Sequence, residues 1–463
     1  MTVSVTRRHV LATAAAWPRT SPAEGAPETV LAVATRVLEV DGRAATVLGV
    51  RQPDGRPGLE TDVTRRFRVR MENRLTEPTL VHWHGLTPPY QQDGVPDISG
   101  PAVAPGRSAQ YDFPLAFPGT FWMHSHQGLQ EQRLLAAPLI VHGAMREDEQ
   151  DVVVLLQDFS WRGPDEILDT LRQASAAAMP AMAGMPAPSP AGMAMDLNDV
   201  VFDAFLANDR TLSDPEVVRV ERGGHVRLRI INGAAASNFV IGLGGLTGEL
   251  IAVDGHPVQP VPGTVFPVAV AQRLDIRLRL PPGAGAYPVL AVLEGERART
   301  GLVLATAGAP VGKLAPTADA AAPALGMDLE RRLRAGTPLA PRRVDRVHAV
   351  ALTGSMAGYV WGLNGLEYGH DKPLLVGRGE RVELVMRNTT PMAHPMHLHG
   401  HVFQVVAVDG VRFPGAVRDS VLVPARAEVT VAFDADNPGR WAFHCHNLYH
   451  QAAGMMTTLD YAA

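Results

Sequence analysis

Pro438-Gly439-Arg440-Trp441-Ala442-Phe443-His444-Cys445-His446 matches an earlier stretch position for position: Pro118-Gly119-Thr120-Phe121-Trp122-Met123-His124-Ser125-His126. Upstream of each lies a second matched stretch. Met71-Glu72-Asn73 is followed, nine residues after the asparagine, by His82-Trp83-His84-Gly85. Met386-Arg387-Asn388 is followed, again nine residues on, by His397-Leu398-His399-Gly400. The two histidine pairs lie 42 residues apart in the first copy and 47 in the second. This is duplication. A third copy, its histidines erased, runs through the middle: Val226-Arg227-Leu228-Arg229-Ile230-Ile231-Asn232, then Ile241-Gly242-Leu243.

Three related domains follow, as a 463-residue chain at about 150 residues per domain suggests. Alternation in Arg66–Met71 and His225–Ile230, with no long helical period competing, reads as β-strands. Glycine (44) and proline (38) are abundant, which suits many short strands joined by turns. The fold class is therefore all-β, in sandwich domains. The expected boundaries are 27–146, 147–312 and 342–463, with an Ala/Pro-rich linker at 313–341. An apolar fraction of 46% excludes general disorder, and a charge of -5 argues against nucleic-acid binding through bulk charge. No apolar run is long enough for a membrane span. A single cysteine excludes internal disulfides, zinc ribbons and iron–sulfur clusters.

Residues i and i+2 of a strand share a face, so each His-x-His presents two imidazoles side by side. Four such pairs occur: His82/His84, His124/His126, His397/His399 and His444/His446. Imidazole without carboxylate suits copper, zinc, iron or nickel. Alternation sends Cys445 to the face opposite His444 and His446, so it serves a different metal from its neighbours. With His394, His450 and Met455 it makes two imidazoles, a thiolate and a weak thioether, the donors of a blue copper site. The eight paired imidazoles are too many for one ion and match a cluster of about three. His401 is expected to be structural, and His142, His225, His256, His348 and His370 non-ligands.

These motifs, with His394-Pro395-Met396-His397-Leu398-His399-Gly400-His401 and His444-Cys445-His446-Asn447-Leu448-Tyr449-His450, resemble the three-domain multicopper oxidases over residues 28–463. That family includes laccases, ascorbate oxidase and bacterial cuprous oxidases. The resemblance implies cupredoxin-like Greek-key sandwiches and four copper ions: one type 1, one type 2 and two type 3. It assigns His394, Cys445 and His450 to the type 1 copper with Met455 axial, and His82 and His397 to type 2. His84, His124, His126, His399, His444 and His446 fall to the type 3 pair. Asp93, in Gln92-Asp93-Gly94, matches the family's acid near the cluster and is the expected catalytic acid, although the residues equally allow a turn aspartate before glycine. Where some bacterial members carry glutamate after the last type 1 histidine, this chain has Gln451, which cannot ionise.

Met179, Met182, Met185, Met193 and Met195 lie among Ala, Gly and Pro and read as a mobile loop. Thioethers favour Cu(I), and the segment resembles the methionine-rich segments of cuprous oxidases. The expected activity is therefore oxidation of Cu(I) coupled to reduction of dioxygen to water, in copper tolerance. A laccase acting on phenols or other aromatics is the alternative, and a non-catalytic copper-binding scaffold a remote one, since every ligand is present. A nitrite reductase would lack the four pairs, and a storage protein would not need Cys445 beside a cluster. Arg7-Arg8 ahead of a short apolar stretch resembles a twin-arginine export signal over residues 1–26, so a periplasmic or otherwise exported monomer is expected.

Overall fold

Arg66–Asn73 buries every second residue (Phe67, Val69, Met71, Asn73), as its alternation requires. The computed structural model describes residues 28–144, 148–182 and 197–462, and the same strand plan appears in it three times. Each asparagine-ending strand pairs in parallel with an earlier strand: Thr29–Val40 with Arg66–Asn73, Glu149–Phe159 with His225–Asn232, Arg346–Ser355 with Arg381–Asn388. On its other side it pairs antiparallel with Ser108–Pro114, Arg273–Arg279 or Glu428–Asp434. Parallel neighbours cannot be joined by a hairpin, so the chain must cross to a second sheet between them. Among the described residues the result is six sheets, two around each of three large apolar cores. The fold is all-β and cupredoxin-like.

Asn73, Asn232 and Asn388 explain their own repetition. All three are buried, and each accepts through Oδ1 the N–H two residues on, from Leu75, Ala234 or Thr390. Each donates through Nδ2 to a nearby turn carbonyl (Glu77, Ser237 or Met392) and to a carbonyl much later in the chain (Val103, Val268 or Val423). One side chain thus pins the turn that launches the next strand. In the outer copies that strand carries histidines; in the middle copy it is Phe239–Gly242, with Ile241 packed in the core opposite Ala291.

The glycines closing the two outer pairs are equally constrained. Gly85 has φ +92°, and a Cβ there would come within 2.6 Å of Arg273 and Phe121. Gly400 has φ +66°, with the Trp441 ring where its Cβ would stand.

One long helix departs from the all-strand reading. Pro164–Met182 is α-helical, opening with Pro164, Asp165 and Glu166, which suit a helix start. Its alanine-rich composition supports helix but carries a weak apolar stripe, and so leaves little 3.6-residue signal. Ile167 and Leu168 are buried in the core of the last sandwich. Met179 and Met182 lie at its end, so that part of the methionine segment is helical rather than loop. Met185, Met193 and Met195, and the signal-like stretch 1–26, lie outside the described residues.

Residues 313–341 are strapped down. They form bridges at Thr317, Ala322 and Ala335, and Glu330 on the short helix Asp328–Arg332 is buried against Arg418. There Asp254 and Arg273 of the middle sandwich meet Arg418 and Asp419 of the last. Arg418 donates to Asp254 (2.9 Å), and Arg273 donates to Asp419 through both terminal nitrogens, one at 2.8 Å. All five charges are almost fully buried, so each depends on its partners.

Candidate metal centre

Two strand pairs build the site in the same register. Val81–His84 runs antiparallel to Gly119–Ser125 with His82 opposite His124, and His394–Leu398 antiparallel to Arg440–Cys445 with His397 opposite His444. Alternation points Trp83 into its core while His82 and His84 face away from it. The eight paired imidazoles converge between the outer sandwiches. His84 and His397 stack at 3.8 Å between ring centroids, His82 lies 3.9 Å from His399, and His126 lies 5.1 Å from His444. All are buried except His126, which is partly exposed.

The outer nitrogens show where the hydrogens are. His82 Nδ1 donates to the Asp93 carbonyl (2.9 Å), His397 Nδ1 to the Asp419 carbonyl (2.8 Å) and His444 Nδ1 to the Cys445 carbonyl (2.9 Å). His399 Nδ1 lies 2.8 Å from Asp93 Oδ2, His84 Nε2 lies 3.0 Å from Asp419 Oδ1, and His124 Nδ1 lies 2.7 Å from Glu131 Oε2. With those hydrogens placed outward, the inward nitrogens present lone pairs. His399 Nε2 and His444 Nε2 face each other at 2.9 Å, and His84 Nδ1 lies 3.4 Å from His124 Nε2. The Nε2 atoms of His82, His126, His397 and His446 are buried without any partner. Opposed lone pairs and orphaned nitrogens in one dry space repel unless cations lie among them, so the donors fit a metal cluster. Burial, followed in most cases by neighbouring histidines, holds His84, His124, His126, His397, His399 and His446 well below the usual imidazole range and His444 at about 4. They are neutral at neutral pH, the form in which an imidazole can bind a metal.

A second group lies on the other face of the same strand. His394 Nδ1 and His450 Nδ1 are 3.1 Å apart, and Cys445 Sγ is 3.7 Å from each. Metal–nitrogen and metal–sulfur bonds of about 2.0–2.3 Å give donor separations of this size. His394 is oriented by Thr390 Oγ1 at 2.7 Å. Asn447 caps the helix Leu448–Ala452 through Tyr449 and His450 N–H and so presents His450. Met455 is fully buried in the same apolar cluster; its N–H donates to the His450 carbonyl, and its carbonyl accepts from Cys445 N–H, both at 3.0 Å. Burial pushes the Cys445 thiol far up, so a thiolate here requires a cation beside it. Cys445 thus offers its sulfur to this group, while its carbonyl holds His444 of the other.

Asp93 is buried, with one carboxylate oxygen on His399 and the other 3.2 Å from His82 Nδ1. Gln451 stands 3.5 Å from His126 Nδ1. His401 joins the His399 carbonyl (3.0 Å) to the Tyr461 hydroxyl (2.7 Å). His142 pairs with Glu60, His225 with Asp148 and His348 with the Leu375 carbonyl, while His256 packs on Phe117. The His370 backbone N–H donates to the Glu367 carbonyl.

Three acids escaped the sequence reading: Asp419 and Glu131, described above, and Asp199. Asp199 lies 3.3 Å from His450 Nε2 and accepts from the Tyr359 hydroxyl. Burial pushes Glu131 well above the usual carboxylate range, and cations on the adjoining histidines would act in the opposite sense.

Family models described as multicopper oxidase match residues 33–146, 150–308 and 343–462. The multicopper oxidase MmcO of Mycobacterium tuberculosis is 33% identical over 88% of this chain and 81% of its own. A copper resistance protein A homolog of Pseudomonas syringae pv. tomato is 25% identical over 92% of this chain and 90% of its own. The crystal structure of a laccase from Botrytis aclada superposes with a TM-score of 0.76 at 23% identity, covering 94% of this chain and 88% of that one.

Proposed function

The chain belongs to the multicopper oxidase family, and on that footing we propose that it is an exported cuprous oxidase serving copper tolerance. The assignment that goes with this reading gives the type 1 copper to His394, Cys445 and His450 with Met455 axial. It gives the type 2 copper to His82 and His397, and the type 3 pair to His84, His124, His126, His399, His444 and His446. Bound there, the four coppers supply one-electron acceptance from the substrate and four-electron reduction of dioxygen to water. The chain's part is to hold two sets of donors at a fixed distance. The observation that carries the proposal is Cys445, whose sulfur belongs to one set and whose carbonyl binds a ligand of the other. Asp93 is the proposed acid. Its Oδ2 is committed to His399, and its main-chain carbonyl takes the His82 hydrogen, so Oδ1 is left to carry a proton.

Cu(I) as substrate is supported by what covers His450. That imidazole is fully buried, its outer nitrogen lies under Asp199 and Tyr359, and Ile167 and Leu168 of the helix pack into the same cluster as Tyr359 and Trp361. A phenol has no bare ring edge to touch there. A small soft cation needs only thioethers and a carboxylate, and the same helix ends at Met179 and Met182, with Met185, Met193 and Met195 following in sequence. The resemblance in fold to a laccase makes phenol oxidation the competing reading. Oxygen uptake with Cu(I) and with a bulky phenol separates them, measured on the full chain and on a variant lacking 179–195. The deletion is expected to lower Cu(I) oxidation and leave phenol oxidation equal or raised. Equal loss of both, or no change, contradicts the proposed role of the segment. Arg7-Arg8 supports export by the twin-arginine route, and the outer copies 27–146 and 342–463 are the proposed copper-bearing domains.

A further inference from the structure

Glu131 lies five residues after His126, and Gln451 lies five residues after His446. The two are therefore equivalent positions of the duplicated halves, and the structure treats them so. Gln451 approaches His126, the second histidine of the other copy's pair, and Glu131 approaches His446 in return. Gln451 has an amide; Glu131 has the acid.

Its surroundings are built for one purpose. Glu131 sits in the turn Gln130–Arg133, whose residues Gln130, Glu131 and Gln132 are all buried. Gln130 is held by Ser125 and Thr79, and Gln132 meets Asp158 and the Tyr449 hydroxyl. Glu131 Oε2 is 2.7 Å from His124 Nδ1, while Oε1 is 3.9 Å from His446 Nδ1. Both Glu131 Oε1 and His446 Nδ1 otherwise lack a hydrogen-bond partner. An orphaned carboxylate oxygen facing an orphaned imidazole nitrogen marks a contact that closes when His446 turns its Nε2 fully onto a metal ion.

We propose that Glu131 is the positioning residue for His124 and His446, one from each outer domain. It fixes the hydrogen of both on Nδ1 and so commits both Nε2 atoms to metal. Asp419 acts on His84 with the nitrogens exchanged: it takes the hydrogen on Nε2 and so commits Nδ1 to metal. The three imidazoles His84, His124 and His446 are then each backed by a carboxylate. His126, His399 and His444 are backed by an amide, a carboxylate and a carbonyl. Carboxylate-backed imidazoles are the more basic donors, so the first trio holds its ion more tightly.

The inference rests on the reading that these histidines bind copper, and the wild-type arm tests that reading separately. Copper-loaded wild type, Glu131→Gln and Glu131→Ala are titrated with a Cu(I) chelator under reduction. Copper per chain and the blue absorption of the reoxidised protein are recorded, with melting of the metal-free forms alongside. Loss of an outer-shell partner weakens metal binding about 10- to 100-fold. Both variants are expected to give up a fraction of their copper at correspondingly lower chelator, with the blue absorption kept and metal-free Glu131→Gln melting as wild type does. Unchanged copper retention, loss of the blue absorption in step with total copper, or a metal-free Glu131→Gln that melts early or fails to fold overturns the proposal. A wild type that holds no copper overturns the underlying reading instead.

Discussion

Ser125 and Cys445 occupy the same position of the duplicated strand and do opposite things. Ser125 donates to Gln130 Oε1 at 2.8 Å and accepts from Gln127 N–H at 3.0 Å, so its hydroxyl serves only the turn that carries Glu131. Cys445 points its sulfur at His394 and His450 instead. Asp93, in contact with His399 and His82, is the proposed acid. Asp93→Asn preserves shape but leaves Oδ1 unable to deliver a proton, and proton transfer by a placed acid contributes about 10²–10⁴-fold. Turnover with dioxygen is expected to fall by at least about 100-fold with the blue colour retained; unchanged turnover in steady-state oxygen uptake would exclude Asp93 as the acid. Asp93, the histidines, Cys445 and Met455 were legible because their spacing repeats or matches a motif. Glu131, Asp199 and Asp419 were not. Asp419 and Asp199 reach His84 and His450 from segments far apart in sequence, and Glu131 meets His124 at 2.7 Å only because the buried turn after His126 folds back; neither strand alternation nor a motif marks such a partner.

At the scale of elements, the asparagine clamp makes three strand-turn-strand units alike whether or not they hold metal. Asn232→Ala tests this in the copy without ligands. It strands the Ser237 and Val268 carbonyls and the Ala234 N–H, and a buried polar group left unpaired costs about 1–3 kcal/mol. A urea midpoint lowered accordingly, with copper content unchanged, is the expected outcome; loss of copper would show that the middle copy shapes the cluster directly. The strands were readable from alternation because one face of each is a core. The helix Pro164–Met182 was not, because alanine fills much of it and leaves its apolar stripe weak.

At the scale of the whole molecule, the centre lies between the first and last sandwiches, and the middle one holds them through charge. Arg273 and Asp254 reach Asp419 and Arg418, and Asp419 in turn touches His84. The middle sandwich thus reaches the histidine cluster. Burial also gives the metal-free protein a pH dependence. His84, His124, His126, His394, His397, His399 and His446 lie well below 6.5, and His256, His401 and His444 at about 4. Below pH 6.5 the unfolded chain binds protons that the folded one refuses, so stability falls as pH drops from 6.5 toward 4. The raised carboxyls, Glu131 foremost, act in the opposite sense and are fewer. Melting of the metal-free protein across that range checks the sign.

Cys445 is the proposed link between the two sets of copper donors. Copper-loaded wild type and Cys445→Ser, compared for copper per chain, visible absorption and oxygen uptake with Cu(I), test it most directly. The account predicts a blue, active wild type. It predicts a colourless variant that keeps the cluster copper, loses about one ion per chain and consumes no oxygen. A Cys445→Ser protein that stays blue and still reduces dioxygen would contradict it.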